Sequence, residues 1–132
     1  MTTSEGADLL ADFEAGGIDP ASFTHRDHVR VSYELLERYS FPEALLHLAR
    51  GLRRLATKAG RPEVYHETIT AAFLALIAER RLRGSHVTWD DFAAHNPDLF
   101  RKELLNEFYE PGVLQSPVAR ATFVLPQRGV PL

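Results

Sequence analysis

The chain has 132 residues, of which 45% are apolar and 25% charged, a composition that is ordinary for one soluble globular domain. It has no cysteine, which excludes disulfides, thiolate zinc sites, iron–sulfur clusters and cysteine nucleophiles. Its formal net charge of −3 argues against a general nucleic-acid binder, because such proteins usually present a basic face.

The first two predicted helices lie before residue 40. Apolar residues recur at helical spacing over about 4–15, and Gly16-Gly17 ends that segment. Thr24 and Asp27 are separated by three positions, as in a capping box, in which each side chain accepts a hydrogen bond from the other residue's backbone N–H. We therefore expect a second helix over about 25–39.

The third and fourth predicted helices follow directly. Ser40 and Glu43 repeat the spacing of a capping box, and Gly60 ends the apolar stripe that follows. Pro62 is a residue typical of the first turn of a helix. It therefore predicts a fourth helix, the longest of the chain, over about 62–81.

The rest of the chain predicts shorter elements. Thr88 and Asp91 form a third potential capping box at the start of a short helix, and Asn96-Pro97 ends that helix and begins another. Ser116-Pro117 predicts a further cap and turn, and β-like composition is confined to 86–88 and the tail. The pattern thus leaves no room for a sheet.

These elements predict an all-α protein, a compact bundle of five or six helices with a short extended C-terminal tail. We expect one helical domain over 1–132, with 127–132 as a loose tail. The polar, acidic first residues are unlike a secretory signal, and no stretch has the roughly 18 uncharged residues that a membrane span needs. We therefore expect a cytoplasmic protein that contacts neither membranes nor nucleic acids.

Three of the six histidines lie where a helix bundle could bind a metal. His28 and His66 fall on the inward faces of two predicted helices, and His25 lies nearly on the face of His28. Glu67 borders the face of His66. We therefore predict one divalent transition metal, zinc or iron, with His25, His28 and His66 as ligands and Glu67 as the base that acts on metal-bound water.

A purely structural role is the alternative for each of these residues. His28 is placed to stack on Phe23 beside the capping box, and Thr70 could satisfy the imidazole of His66. Glu67 near a helix N-terminus is favoured by the helix dipole alone. The remaining histidines are expected on a polar face, in a loop and at a helix end, all outside the site: His47, His86 and His95.

Three segments carry a resemblance to known sequences: Phe23-Thr24-His25-Arg26-Asp27-His28, Tyr65-His66-Glu67-Thr68-Ile69-Thr70, and the run from Ser116 to Pro126. Together they resemble a group of small bacterial helical proteins of uncharacterised function. The resemblance covers most of the chain, from about 13 to 126. It implies a bacterial cytoplasmic protein and draws attention to the same histidines, but it implies no reaction.

Three classes of function therefore remain open. The leading one is a helical protein whose His/Glu pocket binds a metal and binds or acts on a small molecule; catalysis would then be metal-dependent hydrolysis or group transfer. The second is a non-enzymatic binding or sensor module whose histidines are structural. The third is an interaction domain, which would expose an apolar patch. Oligomeric state does not follow from the sequence.

Overall fold

The computed structural model describes residues 2–86 and 88–128, and over these residues the protein is all-α, without a strand. The predicted fold class is therefore confirmed. The α-helices are α1 (Thr2–Ala15), α2 (His25–Arg38), α3 (Phe41–Lys58), α4 (Glu67–Arg83), α5 (Trp89–His95) and α6 (Pro117–Ala121). Short 3₁₀ turns lie between them, at Pro20–Ser22, Pro62–Val64, Pro97–Phe100 and Lys102–Glu107.

Of the three predicted capping boxes, only the first is complete. The Thr24 hydroxyl accepts from the N–H of Asp27 at 3.1 Å, and the Asp27 carboxylate accepts from the N–H of Thr24 at 3.0 Å. Ser40 is the N-cap residue of α3 as expected, but the predicted capping box with Glu43 was wrong: the Ser40 hydroxyl donates to the Glu43 carboxylate at 2.9 Å and accepts no backbone N–H. At α5, Thr88 accepts from the N–H of Asp91, but the Asp91 carboxylate lies against two histidines.

The central helix of the bundle is α2, whose residues Val29 to Leu35 are all buried. Its two sides contribute to different apolar clusters. Val29 and Tyr33 pack in one cluster with Phe73 of α4 and residues of the C-terminal half, whereas Val31 and Leu35 pack in the other with residues of α1 and α3. Because the stretch from Val29 to Leu35 is buried on every side, its polar side chains need partners inside the protein, as the ion pair of Arg30 and Glu34 shows.

The fourth helix was predicted to begin at Pro62 and to be the longest helix of the chain, and both predictions were wrong. Pro62 begins only a single 3₁₀ turn, Pro62–Val64, and α4 begins at Glu67 after the extended backbone of Tyr65 and His66. With 17 residues α4 is also shorter than α3, which has 18. The helix expected after Asn96-Pro97 is two 3₁₀ turns instead.

The tail begins as extended chain after α6. The N–H groups of Gln127 and Arg128 both donate to the carbonyl of Phe108 at 3.0 Å, so these two residues are attached to the bundle. The rest of the tail predicted to be loose lies outside the described residues. Within the described part, no helix combines the length and the apolar character that a membrane crossing requires.

Candidate functional site

His28 lies in the first turn of α2, where the complete capping box fixes the start of the helix. Its side chain is partly buried, and its Nε2 atom is fully buried without a hydrogen-bond partner. Burial lowers the pKa of His28 from 6.5 to about 4, and the neighbouring His25 adds to this effect. His28 is therefore a neutral imidazole at pH 7.

His25 lies beside His28 but has a partner of its own. The two rings meet edge to face with centroids 5.9 Å apart, and each also contacts the ring of Phe73. The Nε2 of His25 donates to the carbonyl of Leu99 at 2.9 Å. This bond attaches the start of α2 to the 3₁₀ turn Pro97–Phe100.

His66 uses both ring nitrogens within the protein. It is the N-cap of α4: its Nδ1 accepts from the N–H of Ile69 at 3.1 Å. Its Nε2 then carries the proton and donates to the carbonyl of Leu114 at 2.6 Å. A metal could bind His66 only by breaking one of these bonds. The expected partner of the imidazole, Thr70, was wrong, because the Thr70 hydroxyl donates to the backbone carbonyl of His66 instead.

Glu67 lies at the first position of α4, and its partners are not histidines. Its Oε1 accepts from the Tyr65 hydroxyl at 2.7 Å and lies 3.5 Å from the guanidinium of Arg53. Together with burial, which is the larger cause, the bond to Glu67 raises the pKa of Tyr65 to about 12. The Tyr65 hydroxyl therefore stays protonated at pH 7.

His28 and His66 do line one cavity of about 360 Å³. However, the two histidines and His25 are not a group whose ligand atoms lie within 4.8 Å of one another; over the described residues, only His86, Asp91 and His95 meet that condition. It stays a prediction that the metal ligands are His25, His28 and His66 and that the base is Glu67. The hydrogen bonds of His66 and Glu67 do not favour this prediction.

The group formed by His86, Asp91 and His95 could hold a metal ion. The Asp91 carboxylate lies 3.6 Å from Nδ1 of His86 and 3.3 Å from Nδ1 of His95. The rings of His86 and His95 are 5.2 Å apart between centroids. Asp91 and His95 share one face of α5 because they are one turn apart, and His86 reaches that face from the preceding loop.

The surroundings orient this group. The His86 ring is largely buried and packs edge to face against Phe92, with centroids 5.5 Å apart. The ring also lies close to the backbone of Gly84, so a Cβ at position 84 would overlap the imidazole. The Nδ1 of His95 donates to the carbonyl of Asp91 at 2.8 Å, which leaves the lone pair of this ring on Nε2.

Sequence reasoning placed His86 and His95 outside the site, and that interpretation missed the group. It assigned the Asp91 carboxylate to a capping box, and it assigned His86 to a loop and His95 to a helix end without relating the two. The spacing Asp91-x-x-x-His95 was the available signal, since it places a carboxylate and an imidazole on one helical face. His86 lies outside the helices, so no helical spacing could predict that it approaches this face of α5.

Comparisons of the chain with protein-family models, curated proteins and solved structures gave no significant match. The resemblance to small bacterial helical proteins stays a prediction.

Proposed function

We propose that this protein binds one divalent transition metal through His86, Asp91 and His95. The observation that carries the proposal is the convergence of two imidazoles and one carboxylate, with ligand atoms within 4.8 Å of one another. Mixed imidazole and carboxylate donors suit zinc or ferrous iron, which agrees with the type of metal expected from the sequence.

The spacing of the group supports coordination. Ligand atoms bound tetrahedrally at about 2.1 Å from zinc lie roughly 3.4 Å apart. The 3.6 Å between Nδ1 of His86 and the Asp91 carboxylate is close to that value. His95 is the most exposed of the three side chains, so its ring can adjust to an ion without disturbing the core.

The hydrogen bond of His95 also supports metal binding. Histidine ligands commonly donate their second ring N–H to a carboxylate or a backbone carbonyl, which fixes the tautomer. The bond from Nδ1 of His95 to the carbonyl of Asp91 has this form. We therefore expect Nε2 to be the ligand atom of His95.

Three protein ligands leave a coordination position for water or a small molecule, as in reactive zinc sites. We propose that a small molecule binds at this open position. Glu67 cannot be its base, because Glu67 begins α4 and the loop to His86 follows the end of that helix. A helix of this length, 17 residues, separates the two ends by about 25 Å.

The test is a titration of the untagged, chelator-treated protein with Zn²⁺ by calorimetry, and with Co²⁺ by visible absorption. We expect saturable binding of one ion per chain, lost in His86→Ala and in His95→Ala. His47→Ala is the matched control, because His47 pairs with Glu14 on another helix and should leave binding unchanged.

The alternative set of ligands is tested in the same titration. His28→Leu should bind the metal as the wild type does. Loss of binding in His28→Leu with retention in His95→Ala would overturn the proposal and assign the metal to the histidines of α2. Absence of saturable binding in the wild type would also overturn it.

A further inference from the structure

The last turn of α4 carries an apolar side chain that projects into solvent. Leu82 is 85% exposed, the highest value among the large apolar side chains that the structure describes. Single exposed apolar residues are common on protein surfaces and need no explanation. Leu82 differs from such residues because an apolar groove lies on the same side of its helix.

This groove, of about 300 Å³, lies between α4, the segment around Phe108 and the tail. The residues of α4 that form its apolar wall are small or aliphatic: Ala72, Ala75 and Leu76. From the tail the wall includes Phe123, which is 43% exposed. The small alanine side chains leave room for another molecule to approach the helix closely.

The projecting leucine and the groove are related by the geometry of α4. Leu82 follows Ala75 by seven positions, so the two side chains are about 20° apart around the helix and about 10 Å apart along it. A two-fold axis that runs across this face, midway between the two residues, would place Leu82 of each copy against Ala75 of the other. Such a contact is isologous and closed, because both copies use the same face.

The charges of this face do not oppose self-association. Glu79 and Arg83, which also line the groove, form an ion pair at 2.8 Å within the same chain. The other two arginines of the last turn also pair with carboxylates of their own chain. Two copies can therefore meet here without the cost of facing like charges, whereas a strongly charged partner would find no opposite charge to match.

We propose that this protein forms a two-fold symmetric homodimer in which Leu82 of each copy packs against the groove of the other at Ala75. The face offers both the projecting side chain and the space that receives it, which favours a second copy over a different partner. The contact is confined to one helix and one groove, so we expect a small interface and a dissociation constant on the order of 10 µM. The proposed metal ligands do not line the groove, so the dimer does not depend on the metal.

Analytical ultracentrifugation of the full chain in the presence of EDTA tests the proposal, at concentrations from about 1 µM to about 500 µM, which bracket the expected dissociation constant. We expect monomer at the lowest concentration and dimer at the highest. Leu82→Glu and Ala75→Glu should each raise the dissociation constant by at least about 100-fold, because the interface contains each substitution twice and a charge would enter an apolar groove. The matched control is Leu46→Glu, an exposed leucine of α3, which should leave the dissociation constant unchanged.

A crosslink tests the arrangement of the two copies. The chain has no cysteine, so an introduced cysteine is the only one that can form a disulfide. Glu79 lies close to the middle of the stretch from Ala75 to Leu82, near the proposed two-fold axis. Glu79→Cys should therefore form a disulfide with the same residue of the second copy under mild oxidation, since a disulfide needs Cα atoms within about 7 Å. The control Leu46→Cys should not, because residue 46 lies on another helix.

Monomer at every concentration would overturn the proposal, whether the groove is then empty or holds another molecule. A dimer that Leu82→Glu leaves intact would also overturn it, because a different face would then hold the two copies together. Equal crosslinking of Glu79→Cys and Leu46→Cys would reject the arrangement. The substituted side chains are exposed, and circular dichroism confirms that each variant is folded. If a glutamate variant does not fold, the wild-type sedimentation and the two cysteine variants decide.

Discussion

The Nε2 of His66 donates to the carbonyl of Leu114 at 2.6 Å, across 48 positions of the chain. On its other side the same ring caps α4 through the N–H of Ile69. One imidazole thus joins the start of a long helix to the segment that leads into α6. Both bonds require the neutral tautomer with the proton on Nε2.

We therefore predict that His66→Ala destabilises the protein by about 2–4 kcal/mol, because it leaves a buried carbonyl and a helix N–H without partners. His66→Asn should recover part of this loss, since asparagine is a good N-cap. Denaturant unfolding measures both variants. The loss should be the same with and without EDTA; a loss seen only in the presence of metal would instead make His66 a ligand.

Much of the fold follows from local signals in the sequence. The capping box at Thr24 and the apolar stripes identify the helices because both depend on residues only three or four positions apart. The start of α4 was missed because Pro62 satisfies the rule for a first helical turn, yet only one 3₁₀ turn forms. The cap is His66, and its action depends on the distant carbonyl of Leu114, which no local pattern contains.

The candidate sites were less predictable because they too depend on contacts between residues that no local pattern relates. The inward position of His28 followed from helical periodicity, but the missing partner of its Nε2 depends on which groups surround it from other elements. The group of His86, Asp91 and His95 depends on the position of the His86 ring, for which Gly84 makes room. Periodicity within one helix could predict Asp91 and His95 together, but not the third member.

The contact between α1 and α3 gives a second prediction. The ring of Phe13 lies where a Cβ on Gly51 would be, so the two helices approach closely only because residue 51 is glycine. Gly51→Ala should destabilise the protein by about 1–3 kcal/mol through overpacking, despite the better helix propensity of alanine. Thermal and denaturant unfolding measure this effect.

The control for Gly51→Ala is Gly17→Ala, where a Cβ would meet only ordinary contact distances. It should change the free energy of unfolding by less than about 1 kcal/mol. Combining Gly51→Ala with Phe13→Leu should cost less than the sum of the two single losses, since the smaller side chain relieves the overlap. Strict additivity would contradict this explanation.

The pKa of His28 predicts how stability depends on pH. The folded value of about 4 lies below the unfolded value near 6.5, so folding favours the neutral ring. This contribution is fully present above pH 6.5 and is lost as the pH falls from 6.5 towards 4. Linkage gives a total loss of about 3 kcal/mol from this group.

The variant His28→Leu isolates that contribution from the rest of the pH dependence of stability. At pH 7 the variant should be about as stable as the wild type, because it removes a buried polar atom that lacks a partner. At pH 4.5 it should be the more stable of the two. Parallel pH profiles of the unfolding free energy for both proteins would refute the assignment.

The last prediction concerns Gly84, which is not one of the proposed metal ligands but makes room for the His86 ring. Its φ of −93° is accessible to any residue, so Gly84→Ala should not strain the backbone. The new Cβ would overlap the His86 imidazole and push this ring away from Asp91 and His95. We expect metal affinity to fall by about 10- to 100-fold, the range for residues that orient a ligand, with little change in the unfolding free energy of the metal-free protein.

Gly17→Ala, which lies in another loop, should leave the affinity unchanged. Zinc calorimetry and unfolding of the metal-free protein measure the two quantities separately. If Gly84→Ala kept full affinity, His86 would not be held by this contact, and equal losses of affinity in both alanine variants would point to a general effect on the fold.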